Sequence, residues 1–256
     1  MNNNLLEEDV LPIGLATKNQ LLVELLAAPG ARSILLPHLR AVSLDRNEVL
    51  YEQGDRIESV YFPTTCLVSN LTIMEDGTTL ETSMVGREGL IGISAVLGSG
   101  VSRHWLWVSI SGTALQLETR FLDSLFLHNE DALKALLRFY RAMITQVSQR
   151  CVCNTRHTVL ERLCCWLLMV HDRVSNGNLR LTQEMIASRL GARRAGITVA
   201  AGVLQELQAI EYRRGLLHII NRNVLEQTAC ECYTMMGKEF NLFGSKSPAA
   251  HSGLSL

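Results

Sequence analysis

Two adjacent arginines, Arg193 and Arg194, open the second of two short helical segments in "LTQEMIASRLGARRAGITVAAGVLQELQAI" (residues 181–210). A guanidinium group donates parallel hydrogen bonds that fit phosphate oxygens and also the O6 and N7 atoms of guanine. Two short helices joined at a glycine, with arginines at the start of the second, are typical of a DNA-reading helix-turn-helix. After the arginines, Thr198 is the only clearly polar side chain before Gln205, so the predicted reading surface is sparse.

The neighbouring residues supply the frame that this motif needs. Thr182 can cap the first helix by accepting a hydrogen bond from a free backbone N–H group, and Gly191 suits the tight turn between the helices. The segment "EYRRGLLHIINRN" follows and predicts a two-stranded wing. We expect Arg213 and Arg214 on this wing to contact phosphates; ordinary solvated arginines are the alternative.

Charge separates an acidic part of the chain from a basic one. Residues 1–155 contain 12 Lys/Arg and 17 Asp/Glu, whereas residues 156–222 contain 10 arginines and 5 Asp/Glu. The two balances are therefore −5 and +5. A basic segment after an acidic one is expected of a nucleic-acid-binding module carried by a separate domain, although a solvated basic surface gives the same count.

The composition favours a soluble globular protein. Hydrophobic residues make up 47% of the 256 residues and charged residues 19%. No apolar run approaches the roughly 20 residues that a membrane span needs. The start of the chain, "MNNNLLEEDVLPIG", lacks the basic region and apolar core of a secretory signal. We therefore expect a cytoplasmic protein without a membrane partner.

The cysteines and histidines predict no metal site. No CxxC pair occurs among the seven cysteines, and on a helix the two residues of a CxC pair point about 200° apart. We expect reduced, buried thiols and histidines with structural or surface roles; the histidines considered are His104, His157 and His171. No phosphate-binding loop, HxxxH pair or nucleophile elbow is present, so the sequence predicts no catalytic residue, no enzyme and no certain cofactor.

The middle of the chain predicts the elements that precede this motif. From Val42 to about Leu117, short runs rich in β-branched and aromatic residues alternate with turn signals, as in an all-β barrel or sandwich. Within "MEDGTTL", Asp76 and Gly77 predict a hairpin with positive φ angles.

A long helical region from about Leu122 to Arg156 follows the predicted barrel. Its apolar residues alternate steps of three and four, which favours pairing with a second copy of the helix. The predicted dimer interface consists of Leu133, Leu136, Leu137, Tyr140, Met143, Ile144 and Val147. Packing of this helix only on its own barrel is the alternative.

This order of elements resembles the Crp–Fnr superfamily of bacterial transcription regulators over roughly residues 30–233. Three short sequence segments also resemble this superfamily, namely "LYEQGD", "GREGLIG" and "LTQEMIASRLGARR". The implied fold class is α+β, with a jelly-roll-like β-barrel, a long dimerisation helix and a winged helix-turn-helix. The predicted domains are an effector domain (1–121), a dimerisation helix (122–156), a DNA-binding domain (157–240) and a disordered tail (241–256).

The resemblance implies a homodimer that presents its second helices to successive major grooves of a near-palindromic DNA site. Arg194 falls where the family commonly has an arginine that reads guanine. Where the family commonly has a glutamate and a further arginine, this chain has Ala195 and Val199, so the familiar half-site is not expected. The other predicted base or phosphate contacts are Thr182, Gln183, Arg193 and Thr198.

The resemblance also identifies a candidate effector pocket. Family members that bind cyclic AMP have a glutamate after the glycine that corresponds to Gly92; here that position is Ile93. Arg103 lies where the family places the arginine that neutralises the cyclic phosphate, and His104 replaces the small hydroxyl residue that follows. Ser148 lies near the positions of polar contacts to the base. A different small effector, in a pocket lined by Gly92, Arg103, His104, Ser148 and also Trp105, is therefore favoured over cyclic AMP.

The sequence leaves three modes of control and two functions open. A small effector, constitutive DNA binding set by expression or a partner, and redox sensing are the modes; residues 1–65 contain no cysteine cluster for an iron–sulfur centre. The leading function is a dimeric DNA-binding regulator that recruits or blocks RNA polymerase. The alternative is a signalling module whose C-terminal domain binds a protein partner.

Overall fold

The computed structural model describes residues 14–98, 100–174 and 178–244. The predicted tail falls outside this part of the chain from residue 245 onward. None of the described helices combines the length and the apolarity that a membrane crossing requires.

The N-terminal domain consists of two antiparallel sheets that enclose an apolar core. One sheet has the order β1-β7-β3 and the other the order β2-β6-β4-β5. The strands are β1 (Arg40–Leu44), β2 (Val49–Tyr51), β3 (Ser59–Pro63), β4 (Leu67–Ile73), β5 (Thr79–Val85), β6 (Trp105–Ile110) and β7 (Gly112–Glu118). Alternate residues such as Val60, Phe62, Leu115 and Leu117 point inward and are fully buried, as the period of two of a β-strand requires. The predicted jelly-roll-like domain is thus confirmed.

The predicted hairpin joins β4 to β5, with one difference in its backbone. Gly77 has a φ of +81°, whereas Asp76 is not in the left-handed region. Asp76 instead accepts a hydrogen bond from the backbone N–H of Thr78 through its carboxylate, over 2.8 Å. Only one positive φ is therefore needed, because the Asp side chain closes the turn.

Short helices cover one end of the barrel. Helix α1 (Gln20–Ala27), helix α2 (Ala31–Leu35) and a 3₁₀ turn (Leu36–His38) precede β1, and helix α3 (Ser94–Leu97) follows β5. Asn19 caps α1, and its buried amide donates to the carbonyls of Pro63 and Gly89 over 2.9 and 2.8 Å.

The predicted long helix is two helices. Helix α4 (Thr119–His128) ends at Asn129, whose side chain then caps helix α5 (Glu130–Arg156) by accepting from the Ala132 N–H. Residues 128–131 are all polar, and Asn129 followed by Glu130 and Asp131 favours the start of a helix. The candidate dimerisation helix therefore begins at Glu130 rather than at residue 122.

The C-terminal domain has the predicted helix-turn-helix and a wing of three strands. Its elements are α6 (Val159–Arg173), β8 (Asn178–Arg180), α7 (Gln183–Leu190), α8 (Arg194–Glu206), β9 (Ile210–Arg213), β10 (Leu216–Ile219), α9 (Arg222–Thr228) and α10 (Glu231–Gly244). The sheet order β8-β10-β9 adds β8 to the two strands expected from the sequence. Residues 222–244 form two helices with a break at Ala229 and Cys230.

Buried polar side chains join the two domains. Glu81 on β5 accepts hydrogen bonds from Ser69 and from the Trp166 indole, over 2.8 Å for the latter, and lies 3.5 Å from the Arg150 guanidinium. Arg150 also donates to the backbone carbonyl of Arg189 at the end of α7, over 3.0 Å. A single arginine of α5 thus connects the barrel to the first helix of the helix-turn-helix.

Candidate DNA interface and effector cavity

The helix-turn-helix is built by local interactions that the sequence predicted. Thr182 caps α7 by accepting from the Met185 N–H over 3.1 Å. Gly191 ends α7 with a φ of +57°, a left-handed conformation that favours glycine. A Cβ atom at Gly191 would also lie 2.6 Å from a methyl group of Leu80 on β5. The turn between the two helices therefore approaches the barrel closely.

Helix α8 buries one face and exposes the other. Ile197, Ala200, Ala201 and Leu204 are in the core of the domain. The opposite face presents five exposed residues at the start of the helix: Arg193, Arg194, Ala195, Thr198 and Val199. Val199 is 69% exposed. The two positions that depart from the family pattern are therefore on the surface that would face DNA.

Polar groups at this surface are arranged by short contacts. Thr198 donates to the Gln183 side-chain oxygen over 2.7 Å, and so fixes the amide of Gln183 at the same face. Arg194 lies 3.9 Å from the Glu184 carboxylate, but both side chains are mostly exposed, so this pair restrains Arg194 weakly. The guanidinium of Arg194 remains free to bind an anion or a base edge.

The wing turn brings a second pair of arginines to the same side. Arg214 and Gly215 form the turn between β9 and β10 with φ angles of +53° and +77°. The Gly215 carbonyl accepts from the Leu181 N–H over 2.9 Å, which fixes the turn beside the start of α7. Arg213 and Arg214 are both exposed there.

A basic groove at the wing includes two arginines, Arg46 and Arg180, that the sequence pattern does not single out. It is lined by Arg46, Arg180, Thr182, Glu211, Arg213, Arg214, Gly215, Leu216 and His218. Arg46 comes from the barrel and donates to the Arg180 carbonyl over 3.1 Å. The surplus of arginine in residues 156–222 pointed to Arg180, but Arg46 is 134 residues away along the chain and no local pattern marks it.

The exposed face of α5 narrows the predicted dimer interface. Leu137, Tyr140, Ile144 and Val147 are exposed at steps of three, four and three residues; we call these four residues the α5 seam. Leu136 and Met143 were also predicted in the interface, but both are buried in the core of their own chain. They lie on the adjacent face of the helix, toward the barrel. Leu133 is half-buried at the N-terminal end of α5.

A cavity of about 390 Å³ lies between the barrel and α5. It brings together all four candidate effector residues, which are Gly92, Arg103, His104 and Ser148. Three residues of the α5 seam also line it, namely Tyr140, Ile144 and Val147. Trp105, which was expected to contribute, is not among the lining residues.

The walls of the cavity are largely apolar. Ile93 lines it at the position where cyclic-AMP-binding members have glutamate, together with Ile57, Leu90 and Ile91. Gly92 has a φ of +89°, and a Cβ atom there would lie 3.1 Å from Ile57. The backbone at Gly92 therefore forms part of the wall itself.

His104 and Arg103 provide the polar side of the cavity. Burial lowers the pKa of the His104 imidazole, which favours its neutral form, and its Nδ1 atom lies 3.3 Å from the Thr72 hydroxyl. Arg103 is exposed at the rim and, within the described residues, no hydrogen bond or ion pair holds it. The cavity therefore suits an apolar molecule with one anionic group.

The "GREGLIG" segment connects this cavity to the C-terminal domain. A Cβ atom at Gly86 would lie 2.7 Å from the Cβ atom of Arg173 on α6, and one at Gly89 would lie 2.0 Å from the Phe139 ring on α5. Glu88, between these glycines, is buried against Arg173. The segment thus contacts the cavity, α5 and α6 within seven residues of sequence.

Comparison with known proteins agrees with this organisation. Residues 161–228 match the model of the Crp-like helix-turn-helix domain. These residues form a Crp-like helix-turn-helix domain. A comparison with curated protein sequences gives no match.

Solved structures extend the likeness to the rest of the fold. FixK2 from Bradyrhizobium japonicum is 16% identical, with a TM-score of 0.65 over 75% of this chain and 98% of that chain. The CRP-family transcriptional regulator TTHB099 from Thermus thermophilus is 17% identical, with a TM-score of 0.60 over 73% and 96%. The c-di-GMP-responsive regulator CLP from Xanthomonas campestris is 15% identical, with a TM-score of 0.54 over 73% and 96%. The Crp–Fnr resemblance is thereby confirmed in the Crp-like domain and in the fold.

Proposed function

We propose that this protein is a homodimeric, sequence-specific DNA-binding transcriptional regulator. The observation that carries the proposal is the exposed start of α8 in the Crp-like domain, with Arg193 and Arg194 beside the basic wing. In proteins of this architecture the recognition helix enters the major groove through its N-terminal residues. Charge supports this assignment, because residues 156–222 carry the basic surplus of the chain.

Base reading is assigned to a small set of side chains. Arg194 is proposed to bind guanine, which is worth about 1–3 kcal/mol of discrimination for a bidentate pair. Ala195 and Val199 are exposed small apolar groups that suit contact with thymine methyl groups. Gln183 and Thr198, joined by their hydrogen bond, approach the same base pairs.

Phosphate contacts are assigned to residues around the start of α7 and the wing. Thr182, Arg193, Arg213 and Arg214 are the predicted contacts, to which the groove adds Arg180. Phosphate contacts hold the protein in register on the duplex and do not specify sequence. Sequence preference therefore depends on Arg194, the methyl contacts and DNA shape.

Dimerisation is assigned to the α5 seam. Four large apolar side chains at heptad-like spacing on a 27-residue helix match the requirement of a two-helix interface. Binding of two half-sites one helical turn apart needs such a symmetric partner. Contact with RNA polymerase is part of the proposed role in transcription.

A small effector other than cyclic AMP is proposed to occupy the cavity. Ile93 provides no acceptor for a ribose hydroxyl, whereas Arg103 offers a cation for an anionic group. Three α5-seam residues line the cavity, so an occupant would change the surface on which the second copy packs. We accordingly expect no effect of cyclic AMP on DNA affinity; an increase of tenfold or more, about 1.4 kcal/mol, would contradict this assignment.

Selection of preferred sites from a random DNA pool tests the main proposal. The purified protein should enrich a near-palindromic sequence, and Arg194→Ala should lose preference at one guanine in each half-site. Arg40→Ala removes an exposed arginine of the barrel and serves as the charge-matched control, with its site preference unchanged. Enrichment of no sequence, with or without cell extract, would favour the alternative in which the C-terminal domain binds a protein partner.

A further inference from the structure

Four potential metal ligands converge where α5 ends and α10 begins. Cys153 and His157 lie one turn apart at the C-terminal end of α5, and Cys230 and Cys232 lie at the start of α10. One ligand atom from each side chain lies within 4.8 Å of all the others. The three thiols are buried, and the His157 side chain is only 14% exposed.

The separations are those of a tetrahedral site. The Sγ atoms of Cys153 and Cys230 are 3.5 Å apart, and the Cys232 Sγ lies 3.5 Å from the His157 Nδ1. Zinc binds thiolate sulfur at about 2.3 Å and imidazole nitrogen at about 2.0–2.1 Å, which places neighbouring ligands of a tetrahedron roughly 3.5–3.8 Å apart. A Cys₃His set is a known composition for structural zinc.

Residues around the cluster orient its members as the outer shell of a metal site does. The His157 Nε2, which faces away from the thiols, lies 3.3 Å from the Glu231 carboxylate. Metal-ligating histidines commonly donate their second N–H to a carboxylate in this way, which fixes the ring and the tautomer. The Gln149 amide donates to the Cys232 sulfur over 3.1 Å. The Glu231 carboxylate and the Gln149 amide are not themselves among the four potential ligands.

The break between α9 and α10 explains why the sequence did not predict this site. Cys151 and Cys153 follow the expectation for a helix, because the first is exposed and the second buried. Cys230 precedes α10, so it and Cys232 are not on one regular helix and both face α5. The expectation of no metal site rested on the absence of a CxxC pair and on the divergence of CxC side chains along a regular helix. The expectation of a structural or surface His157 rested on the absence of carboxylates or cysteines at ligand spacing in the sequence.

We propose that Cys153, His157, Cys230 and Cys232 bind one Zn²⁺ ion. Three thiol protons leave to solvent on binding, and the ion holds the end of α5 against the start of α10. The junction also contacts the first helix of the helix-turn-helix, because Arg162 on α6 donates a hydrogen bond to the Leu190 carbonyl at the end of α7. The site thereby stabilises the junction between the candidate dimerisation helix and the Crp-like domain.

Metal content of the full-length protein, purified under reducing conditions and incubated with Zn²⁺ before desalting, tests the proposal. We expect one zinc per chain, and tetrahedral thiolate charge-transfer and ligand-field bands when Co²⁺ is used instead. Cys232→Ser and His157→Ala should abolish both signals. Cys151→Ser is the matched control, because this exposed cysteine lies two residues from Cys153, and it should retain full zinc content.

A second variant keeps the test valid where a ligand substitution impairs folding. Glu231 is 72% exposed and does not coordinate, so Glu231→Gln should fold normally and bind zinc about 10- to 100-fold more weakly. Less than a tenth of an equivalent of zinc in the reduced wild type overturns the proposal. Unchanged zinc content in folded Cys232→Ser overturns it as well.

Discussion

The guanidinium of Arg173 and the carboxylate of Glu88 form a buried ion pair between the two domains, with Nε and Oε1 2.6 Å apart. Arg173 ends α6, and Glu88 lies in the "GREGLIG" segment that continues into the cavity wall. Arg173 also donates to the Met169 carbonyl and packs over the Phe240 ring. The wall of the cavity and the contact with the Crp-like domain therefore belong to the same seven residues of backbone.

Glu88→Gln should strongly destabilise the protein, because it leaves the Arg173 cation buried without its counter-charge. Loss of one partner of a buried pair costs about 3–5 kcal/mol, which chemical denaturation measures. Glu24→Gln is the matched control: the Glu24–Arg138 pair has the same 2.6 Å separation but is partly exposed, and such pairs contribute about 0–1 kcal/mol. Equal losses of unfolding free energy in the two variants would show that the contribution of Glu88 to stability does not depend on its burial against Arg173.

Gly89→Ala should destabilise the contact between the "GREGLIG" segment and α5. The added methyl group would lie 2.0 Å from the Phe139 ring, and overpacking of this kind costs about 1–3 kcal/mol. Gly202→Ala is the control, because Gly202 lies in α8 with nothing within 4 Å of its Cβ position. Alanine there should stabilise the helix by about 0.5–1 kcal/mol. Thermal unfolding of the two variants distinguishes them by the sign of the shift.

The α5 seam should control the oligomeric state. Ile144→Glu places a charge in the middle of the proposed interface and should convert a dimer to a monomer, as measured by analytical ultracentrifugation. Leu127→Glu is the control, since Leu127 on α4 is 79% exposed and lies outside the seam. A monomeric wild type, or a dimer that persists in Ile144→Glu, would contradict the assignment.

The wing arginines should contribute affinity without sequence preference. Replacing Arg213 and Arg214 by alanine should weaken binding to all DNA sequences by a similar factor. It should also reduce the slope of log affinity against log salt by about one for each phosphate that the protein no longer neutralises. Arginine and alanine are equally strained at the positive φ of residue 214, so the substitution does not change the conformational energy of the backbone. A selective loss for one site would instead indicate base reading by the wing.

Helix boundaries show where the sequence was sufficient and where it was not. Caps and turns set by one side chain, such as Thr182 and Gly191, were predicted correctly because their partners lie within three or four residues. The break at Asn129 was missed although residues 128–131 are all polar and Asn129 is followed by two acidic residues, which is a helix N-terminal signal. The contacts of Glu81 with Arg150 and Trp166 join residues that are 69 and 85 positions apart, so no local sequence pattern predicts them.

The Cys₃His cluster was missed for the same physical reason. Cys153 and Cys230 are 77 residues apart, and their meeting depends on packing of α10 against α5. The four candidate effector residues came from the resemblance, which supplied their positions, and the structure places all four in one cavity; their role stays a prediction. The apolar pattern did not indicate that Leu136 is buried in the core of its own chain whereas Leu137 is exposed on the seam, because neighbouring residues of a helix lie on adjacent faces about 100° apart.

His104 should make stability depend on pH on the acid side of neutrality. Burial lowers the pKa of its imidazole, so as pH falls below about 6.5 the unfolded chain takes up a proton before the folded chain does. The unfolded state then binds more protons, and the free energy of unfolding decreases with falling pH. His104→Gln should lose less stability than the wild type between about pH 7.5 and about pH 5.5. His128→Gln, which replaces an exposed histidine on α4, should retain the wild-type dependence, and identical profiles for all three proteins would contradict the role assigned to His104.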